Sequence, residues 1–209
     1  VHKYLAQLDN LDLPFLSRAY KASTKADDDA KARNDPQNIA PLDVTPSTTL
    51  PAADADRAEG LRLIAAGQVA ALLLAGGSGT RLGSNAPKGC YDIGMPSRKS
   101  LFQYHAERVL GVRRLAAEHA GVPLEAVRLP LLVMTSAAND AATREFFASH
   151  GNFGLPEKQL RFFAQGMLPA FSADGKILRA SRGALALSPN GDRGGYLALH
   201  ASGLPAHLE

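Results

Sequence analysis

The stretch that decides the fold is Val69-Ala-Ala-Leu-Leu-Leu-Ala75, followed directly by Gly76-Gly-Ser-Gly-Thr-Arg-Leu-Gly83. The first seven residues are apolar without interruption, which is typical of a buried strand. Glycines placed after such a strand let the backbone turn sharply and bring its N–H groups against the oxygens of a ligand. The sequence therefore predicts a buried strand that ends in a phosphate-binding glycine loop.

Apolar runs and helical patterns alternate along the rest of the chain. The alternation predicts an α/β fold with a Rossmann-like, doubly wound, mostly parallel sheet, whose ligand site lies at the carboxyl ends of the strands. The predicted helices cover residues 52–67, 100–118 and 139–150, and the further strands cover residues 129–135, 160–164 and 177–187.

The first 50 residues have a different pattern from the rest. Residues 1–24 are loosely helical, with an interruption at Pro14, and residues 25–49 carry an acidic cluster and three prolines that favour an irregular connector. We therefore expect two parts, an N-terminal helical segment with its connector at 1–50 and the N-terminal part of the domain with the glycine loop at 51–209.

Composition excludes several classes of protein. The chain has 209 residues, of which 45% are hydrophobic and 21% charged, as in an ordinary soluble domain. The net charge of +3 comes without a dense Lys/Arg block, so no nucleic-acid partner is expected, and glycines break the only long uncharged stretch, so no membrane partner is expected either. The single cysteine, Cys90, agrees with a reducing compartment, and we expect the cytoplasm.

Two cations accompany the glycine loop. Arg81 offers a planar guanidinium that can hold two phosphate oxygens, and Lys88 offers a compact point charge seven residues later. The common phosphate motifs do not fit, because a P-loop needs Gly-Lys-Ser/Thr in register. A dinucleotide fingerprint fails as well, since it would require a glycine at Leu82. Neither standard motif therefore accounts for the loop, which suits a polyphosphate but also suits a tight strand-to-helix turn whose glycines serve only geometry.

The motifs in and after the loop resemble those of one enzyme family. Similarity to the eukaryote-type UDP-N-acetylglucosamine pyrophosphorylases, within the wider UDP-sugar pyrophosphorylase family, extends from about Ala52 to the end of the chain. Because members of that family are considerably longer, we expect an N-terminal fragment whose fold is incomplete at the C-terminus. The matching motifs are Leu74-Ala-Gly-Gly-Ser-Gly-Thr-Arg-Leu-Gly83, Pro87-Lys-Gly89, Tyr91-Asp-Ile-Gly94, Lys99-Ser-Leu-Phe-Gln103, Gln165-Gly-Met-Leu-Pro-Ala170 and residues 189–199.

The resemblance implies a nucleotidyltransferase of the GT-A-like type. Such an enzyme joins UTP and a sugar 1-phosphate into a UDP-sugar with release of pyrophosphate, uses Mg²⁺, and has no evident obligate protein partner. N-acetylglucosamine 1-phosphate is the expected sugar substrate, with glucose 1-phosphate or a broader range of sugars as the alternative. A non-catalytic uridine-nucleotide-binding fragment is the alternative from another class, and we expect the chain alone to bind UTP weakly and to turn over little.

The resemblance also carries roles to individual positions. Arg81 and Lys88 are expected to be the catalytic cations, which align and neutralise the phosphates. Gln165 is expected to face the uracil, whose imide edge an amide can pair with. The remaining nucleotide-binding positions by this resemblance are Leu74, Ala75, Gly76, Gly77, Gly191 and Asp192.

The other reactive side chains are expected to have structural or solvent-exposed roles rather than catalytic ones. Cys90 is expected to be a small buried residue rather than a nucleophile. Asp92 and Glu107 could approach the site, but we expect solvated or capping carboxylates there and assign no metal ligand.

The segment Pro189-Asn-Gly-Asp-Arg-Gly-Gly-Tyr196 departs from the family pattern. Asp192 replaces an asparagine, Arg193 stands where a glycine is typical, and Gly195 stands where an apolar residue is typical. If position 193 requires a positive φ, an arginine there costs roughly 1 kcal/mol or more. The sequence therefore leaves the conformation of this loop open.

Overall fold

The computed structural model describes residues 5, 8–9, 11–33, 53–77, 82–83 and 86–204, without the side chains of residues 26–33, 192 and 193. The chain divides into two compact units, residues 1–50 with 168–188 and residues 51–167 with 189–209. The predicted boundary near residue 51 stays a prediction.

The described elements follow one another in this order. The helices are α1 (Leu13–Arg33), α2 (Ala53–Ala65), α3 (Leu101–Ala120), α4 (Asp140–Ser149) and α5 (Gly191–Ala201). The strands are β1 (Ala71–Leu74), β2 (Leu131–Thr135), β3 (Leu160–Ala164), β4 (Met167–Pro169), β5 (Arg179–Ser181), β6 (Ala184–Leu185) and β7 (Leu187–Pro189).

The larger unit is built on a parallel sheet of order β1-β2-β3. Leu74 lies beside Met134, and Met134 lies beside Phe163, so the three strands end at one edge. Every residue of β2 is buried, as expected of the central strand of a sheet covered on both faces. The predicted α/β fold with a parallel sheet is confirmed. The predicted burial of residues 69–75 is wrong, because β1 lies at the edge of the described sheet and its Leu72 and Leu74 side chains are exposed.

Helices cover both faces of this sheet. On one face, Phe102 of α3 and Phe147 of α4 pack against Leu131 and Val133. On the other face, Leu132, Met134 and Phe163 pack against Ala198 and Leu199 of α5. Because successive residues of a strand point to opposite faces, the uninterrupted apolar run of β2 supplies both layers.

The ends of the two central helices follow from local sequence signals. Ser100 caps α3, and its hydroxyl oxygen accepts a hydrogen bond from the Gln103 amide at 3.2 Å. Gly121 ends the same helix in the left-handed conformation. Asn139 precedes α4, as predicted, although its side chain makes no capping bond to that helix.

In the smaller unit, α1 packs against residues 171–173. The Tyr20 hydroxyl donates to the Ala173 carbonyl at 2.6 Å, and its ring lies 5.5 Å from that of Phe171. The strand predicted over residues 177–187 is instead divided, because residues 182–183 turn and let β5 and β6 pair antiparallel.

The predicted connector at residues 25–49 is wrong over its first part, since α1 continues to Arg33. Pro14 does not interrupt this helix, because it lies in the first turn, where a backbone N–H has no helical partner. The Asp12 carboxylate accepts a hydrogen bond from the Phe15 amide at that helix start. Residues 34–49 lie outside the described residues. In the described part of the chain, no helix is both long and apolar enough to cross a bilayer.

Candidate nucleotide-binding site

A cavity of about 380 Å³ lies at the carboxyl end of β1. Ligands of doubly wound sheets bind at this edge, where the loops that follow the strands meet. The cavity brings together six of the residues singled out in the sequence. Its lining is Leu73, Leu74, Ala75, Gly76, Gly77, Lys88, Gly89, Leu101, Phe102, His105, Met134 and Gln165.

Gly76 allows a close approach between the glycine loop and Gln165. A Cβ built on Gly76 would lie 1.8 Å from Gln165 Nε2 and 3.4 Å from the Thr135 carbonyl oxygen. The Gln165 amide therefore occupies the space that any larger residue at position 76 would take. The backbone of Gln165 is held in turn, because its N–H donates to the Thr135 carbonyl at 2.9 Å.

The Gln165 side chain has unused hydrogen-bonding capacity. It is buried, with 6% of its surface exposed, and its Oε1 has no hydrogen-bond partner among the described residues. A buried carbonyl oxygen left without a hydrogen bond costs about 1–3 kcal/mol of stability. Such an oxygen in a native structure is normally explained by a function or by a bound water, ion or ligand. Because Gln165 lines the cavity, a ligand N–H would satisfy this oxygen.

Lys88 brings a positive charge to the cavity. It begins a short 3-10 turn, Lys88–Cys90, and its side chain is exposed. The turn is fixed on α3 because the Phe102 ring lies against Gly89, where a Cβ would come within 2.2 Å of the ring. An exposed ammonium can form charge-assisted hydrogen bonds with phosphate oxygens, and the phosphate-binding role of Lys88 stays a prediction.

Two residues that the sequence analysis did not single out for the site contribute to it. His105 lines the cavity, and burial, with the nearby positive charge of Arg108, lowers its pKa, which favours a neutral imidazole at pH 7. Asn139 lies behind the glycine loop and donates hydrogen bonds to it. No spacing rule points to either residue, since both lie within ordinary helical patterns.

A second polar group lies behind the cavity, at the start of α4. The Asp140 carboxylate accepts hydrogen bonds from Thr135 Oγ1 and from Arg144 Nε, the latter at 2.7 Å. Burial acts to raise the pKa of Asp140, but the hydrogen bonds from Arg144 and Thr135 outweigh it and leave the pKa below its ordinary value. Asp140 therefore ties the end of β2 to α4.

The other predicted site residues are not among the described residues that line the cavity. Gly191 begins α5 with a φ of +72°, and it is not part of the cavity lining. Asp192 lies in α5, but its side chain is outside the described part of the structure, as is the whole of Arg81. The binding roles of Gly191 and Asp192 and the catalytic role of Arg81 stay predictions.

The backbone at Arg193 lies inside α5. Residues in a regular helix have a negative φ, so this position does not require the positive φ that would penalise an arginine. Gly195 departs from the family pattern for a packing reason, because a Cβ there would lie 2.9 Å from Met134 Sδ and 3.6 Å from Leu74 Cδ2. A glycine lets α5 approach the ends of β1 and β2 closely.

The remaining candidate groups lie outside the cavity lining. Burial raises the pKa of the Cys90 thiol, which disfavours the nucleophilic thiolate. Asp92 accepts a hydrogen bond from the Gly94 amide at 2.8 Å. Glu107 accepts one from Lys99 Nζ at 2.6 Å, and this bond with that from Gln103 lowers the pKa of Glu107. Among the described residues, no three His, Cys, Asp or Glu side chains could together hold a metal ion.

Comparison with known proteins identifies relatives of this chain. The chain is 41% identical over 198 residues to UDP-N-acetylglucosamine diphosphorylase 1 of Arabidopsis thaliana, an alignment that covers 94% of this chain and 39% of the relative. It is 46% identical over 141 residues to UDP-N-acetylglucosamine pyrophosphorylase of Saccharomyces cerevisiae, which covers 67% of this chain and 28% of the relative.

A solved structure is similar as well. The crystal structure of uridine diphosphate N-acetylglucosamine pyrophosphorylase from Trypanosoma brucei, in complex with an inhibitor, matches with a TM-score of 0.62 and 40% identity. The match covers 70% of this chain and 29% of that one. The chain thus spans well under half the length of these relatives. Because its sequence matches the family profile over residues 15–209, the chain belongs to the UTP–glucose-1-phosphate uridylyltransferase family.

Proposed function

We propose that this chain forms the uridine-nucleotide half of a uridylyltransferase, which joins UTP and a sugar 1-phosphate into a UDP-sugar and pyrophosphate. The family and the names of the relatives support the reaction class. The observation that carries the proposal is the Gln165 amide, which lies in a cavity that Lys88 also lines. Its Nε2 lies against Gly76, and its buried Oε1 has no hydrogen-bond partner among the described residues.

Gln165 would select the base. An amide donates and accepts, and the imide edge of uracil offers an N3–H donor flanked by carbonyl acceptors. The Oε1 atom of Gln165 would accept from N3–H, and Nε2 would donate to a neighbouring carbonyl. Adenine presents a different pattern of donors and acceptors, so a site that pairs with uracil in this way leaves groups unpaired when adenine enters.

Lys88 would act on the phosphates, together with Arg81. In this reaction an oxygen of the sugar phosphate attacks the α-phosphorus of UTP, and pyrophosphate leaves with its bonding electron pair. Negative charge is carried on phosphoryl oxygens throughout, so the protein acts by alignment and by charge neutralisation rather than through a covalent intermediate. Fixed cations serve that purpose.

The sugar substrate is proposed to be N-acetylglucosamine 1-phosphate, because the plant and yeast relatives carry UDP-N-acetylglucosamine in their names. Glucose 1-phosphate, which appears in the family description, is the second candidate. A non-catalytic uridine-nucleotide-binding role is the third candidate, because the roles proposed here for Gln165 and Lys88 concern the nucleotide alone.

We also propose Mg²⁺ as the companion of the triphosphate. Phosphate oxygens of the nucleotide would supply ligands of the ion, and no step given above depends on it. The cytoplasm is proposed as the compartment, since a single cysteine agrees with a reducing environment.

The proposal is tested by comparing UTP with ATP as stabilisers of the 209-residue chain. A ligand that binds only the native state raises the unfolding midpoint, so we expect a larger rise with UTP than with ATP at equal concentration. The variant Gln165→Ala should lose this difference while its midpoint without nucleotide stays measurable. Equal shifts with the two nucleotides in the unmodified chain would contradict the proposed base selectivity.

A second assay separates the three candidate roles. Pyrophosphate release is followed with UTP and either N-acetylglucosamine 1-phosphate or glucose 1-phosphate. Turnover with one of the two sugars identifies the substrate, whereas UTP binding without turnover supports the non-catalytic role of the chain by itself.

A further inference from the structure

A buried amide joins the end of β2 to the glycine loop. Asn139 follows β2 and has only 7% of its surface exposed. Its Nδ2 donates to the Ala75 carbonyl at 2.9 Å and to the Gly77 carbonyl at 3.2 Å. Its Oδ1 accepts from Ser136, both from the backbone N–H at 2.8 Å and from Oγ at 3.1 Å.

The chemistry of these partners requires an amide. Two backbone carbonyls need donors, and the Ser136 backbone N–H needs an acceptor, so a side chain that offers both kinds of group in one plane is required. Carboxylate, hydroxyl and apolar side chains of similar size cannot supply two donors and one acceptor. The orientation of the Asn139 amide is therefore set by its surroundings.

The two carbonyls held by Asn139 lie on either side of Gly76. In a trans peptide the C=O and the following N–H point in opposite directions. Holding the Ala75 carbonyl toward Asn139 therefore directs the Gly76 N–H away from it. Gly76 is the residue against which the Gln165 amide lies, so the same hydrogen bonds also set the distance between the loop and that amide.

We infer that Asn139 is a positioning residue of the nucleotide site, which holds the Ala75–Gly77 backbone in its ligand-binding conformation without touching the nucleotide. Asn139 is not part of the cavity lining, whereas Ala75, Gly76 and Gly77 all are. The inference rests on the proposed function, since it takes UTP as the ligand of the loop.

The sharpest variant is Asn139→Asp. It keeps an oxygen for Ser136 but replaces both donors with an acceptor that faces the Ala75 and Gly77 carbonyls. A negative charge before the first turn of α4 is favourable to that helix, so the change acts mainly on the loop. Asn139→Ala removes the amide without adding charge.

Arg113→Met is the matched control. Arg113 is buried to the same extent and also donates to two backbone carbonyls, those of Leu124 and Val127, in a loop that does not line the cavity. Methionine keeps much of the aliphatic volume and removes the donors. A general loss of stability should therefore appear in this control as well.

UTP affinity is measured by calorimetric titration of the unmodified chain and the three variants, beside their unfolding midpoints. We expect both Asn139 variants to bind UTP about ten-fold more weakly or worse. Arg113→Met should stay within about two-fold of the unmodified chain while its midpoint falls. Sucrose, which strengthens the folded state, is added equally to all samples so that the Asn139 variants are studied folded.

The outcomes distinguish a failure of the proposed function from a failure of the positioning role of Asn139. If the unmodified chain does not bind UTP, the proposed function fails. If it binds UTP and Asn139→Asp binds equally well, the positioning role is overturned while the proposed function stands. Unfolding of both Asn139 variants in sucrose would also overturn it, because Asn139 would then be a residue of the fold as a whole.

Discussion

Asn139 and Arg113 each hold a different loop by hydrogen bonds from a buried side chain to two of its backbone carbonyls. Each has 7% of its surface exposed, and each donates two hydrogen bonds to carbonyls of an irregular segment. The loop held by Asn139 lines the cavity, and the one held by Arg113 does not. Satisfied buried donors thus explain why a loop is well defined, while the chemistry of the loop itself decides whether it can bind a ligand.

The two side chains differ in how far along the chain they reach. Arg113 bonds to carbonyls 11 and 14 residues away, across the end of its own helix. Asn139 bonds to carbonyls 62 and 64 residues away, a contact that exists only because β1 and β2 are paired in parallel with Leu74 beside Met134. The first loop depends on local structure, and the second depends on the register of the sheet.

The largest effect is expected from Gly76→Ala in the cavity loop. The added Cβ would meet Gln165 Nε2 at 1.8 Å, and since that atom ends a flexible side chain, the amide would move rather than the backbone. We expect the chain to fold, the affinity for UTP to fall on the order of 100-fold, and the preference for UTP over ATP to disappear. Calorimetric titration with both nucleotides measures this.

Gly121→Ala is the matched change in the loop held by Arg113. Gly121 has a φ of +65°, and a Cβ there would have open space around it. Alanine should cost about 1 kcal/mol of unfolding free energy through strain alone, with UTP affinity unchanged. Equal losses of UTP affinity in the two alanine variants would contradict the distinction between the loops.

An intermediate effect is expected from Arg113→Met on stability. The carbonyls of Leu124 and Val127 would lose their donors, and leaving buried acceptors unpaired costs about 1–3 kcal/mol. Urea unfolding should show a lower midpoint with an unchanged slope, because the exposed surface of the unfolded chain stays the same. A midpoint equal to that of the unmodified chain would mean that water replaces the guanidinium at no cost.

Much of the fold could be predicted because its signals are local. The apolar run of β2 marks a doubly covered strand, and Ser100 marks the start of α3, whatever the rest of the chain does. The glycine loop could be predicted for the same reason, since an apolar strand directly precedes it, although that strand is not buried as predicted. These features depend on neighbours in sequence.

The parts that could not be predicted depend on distant contacts or on competing local preferences. The hydrogen bonds of Asn139 require the register of the sheet, which no local pattern encodes. The segment around Arg193 is rich in glycine, which made a positive φ at that position conceivable. The structure instead has a helical backbone at Arg193 and the positive φ at Gly191. In α1, helix propagation through Arg33 prevails over the acidic cluster that favours an irregular segment.

The smallest effect is expected from Asp140→Asn, next to Asn139. It should change how the free energy of unfolding depends on pH, which Arg113→Met should not do. Hydrogen bonds from Arg144 and Thr135 outweigh burial and lower the pKa of Asp140 below its ordinary value of 3.8. The carboxylate therefore contributes stability that is present above pH 3.8 and is lost as the pH falls through the lower pKa of the folded state. Replacing it by asparagine should remove about 1 kcal/mol at pH 7 and less in acid.

Urea unfolding at neutral and acidic pH should thus show a weaker pH dependence for Asp140→Asn than for the unmodified chain. Arg113→Met should keep the original dependence, because it leaves the Asp140–Arg144 pair intact. An unchanged pH dependence in Asp140→Asn would show that the Asp140–Arg144 pair adds nothing to the stability of the segment that carries Asn139.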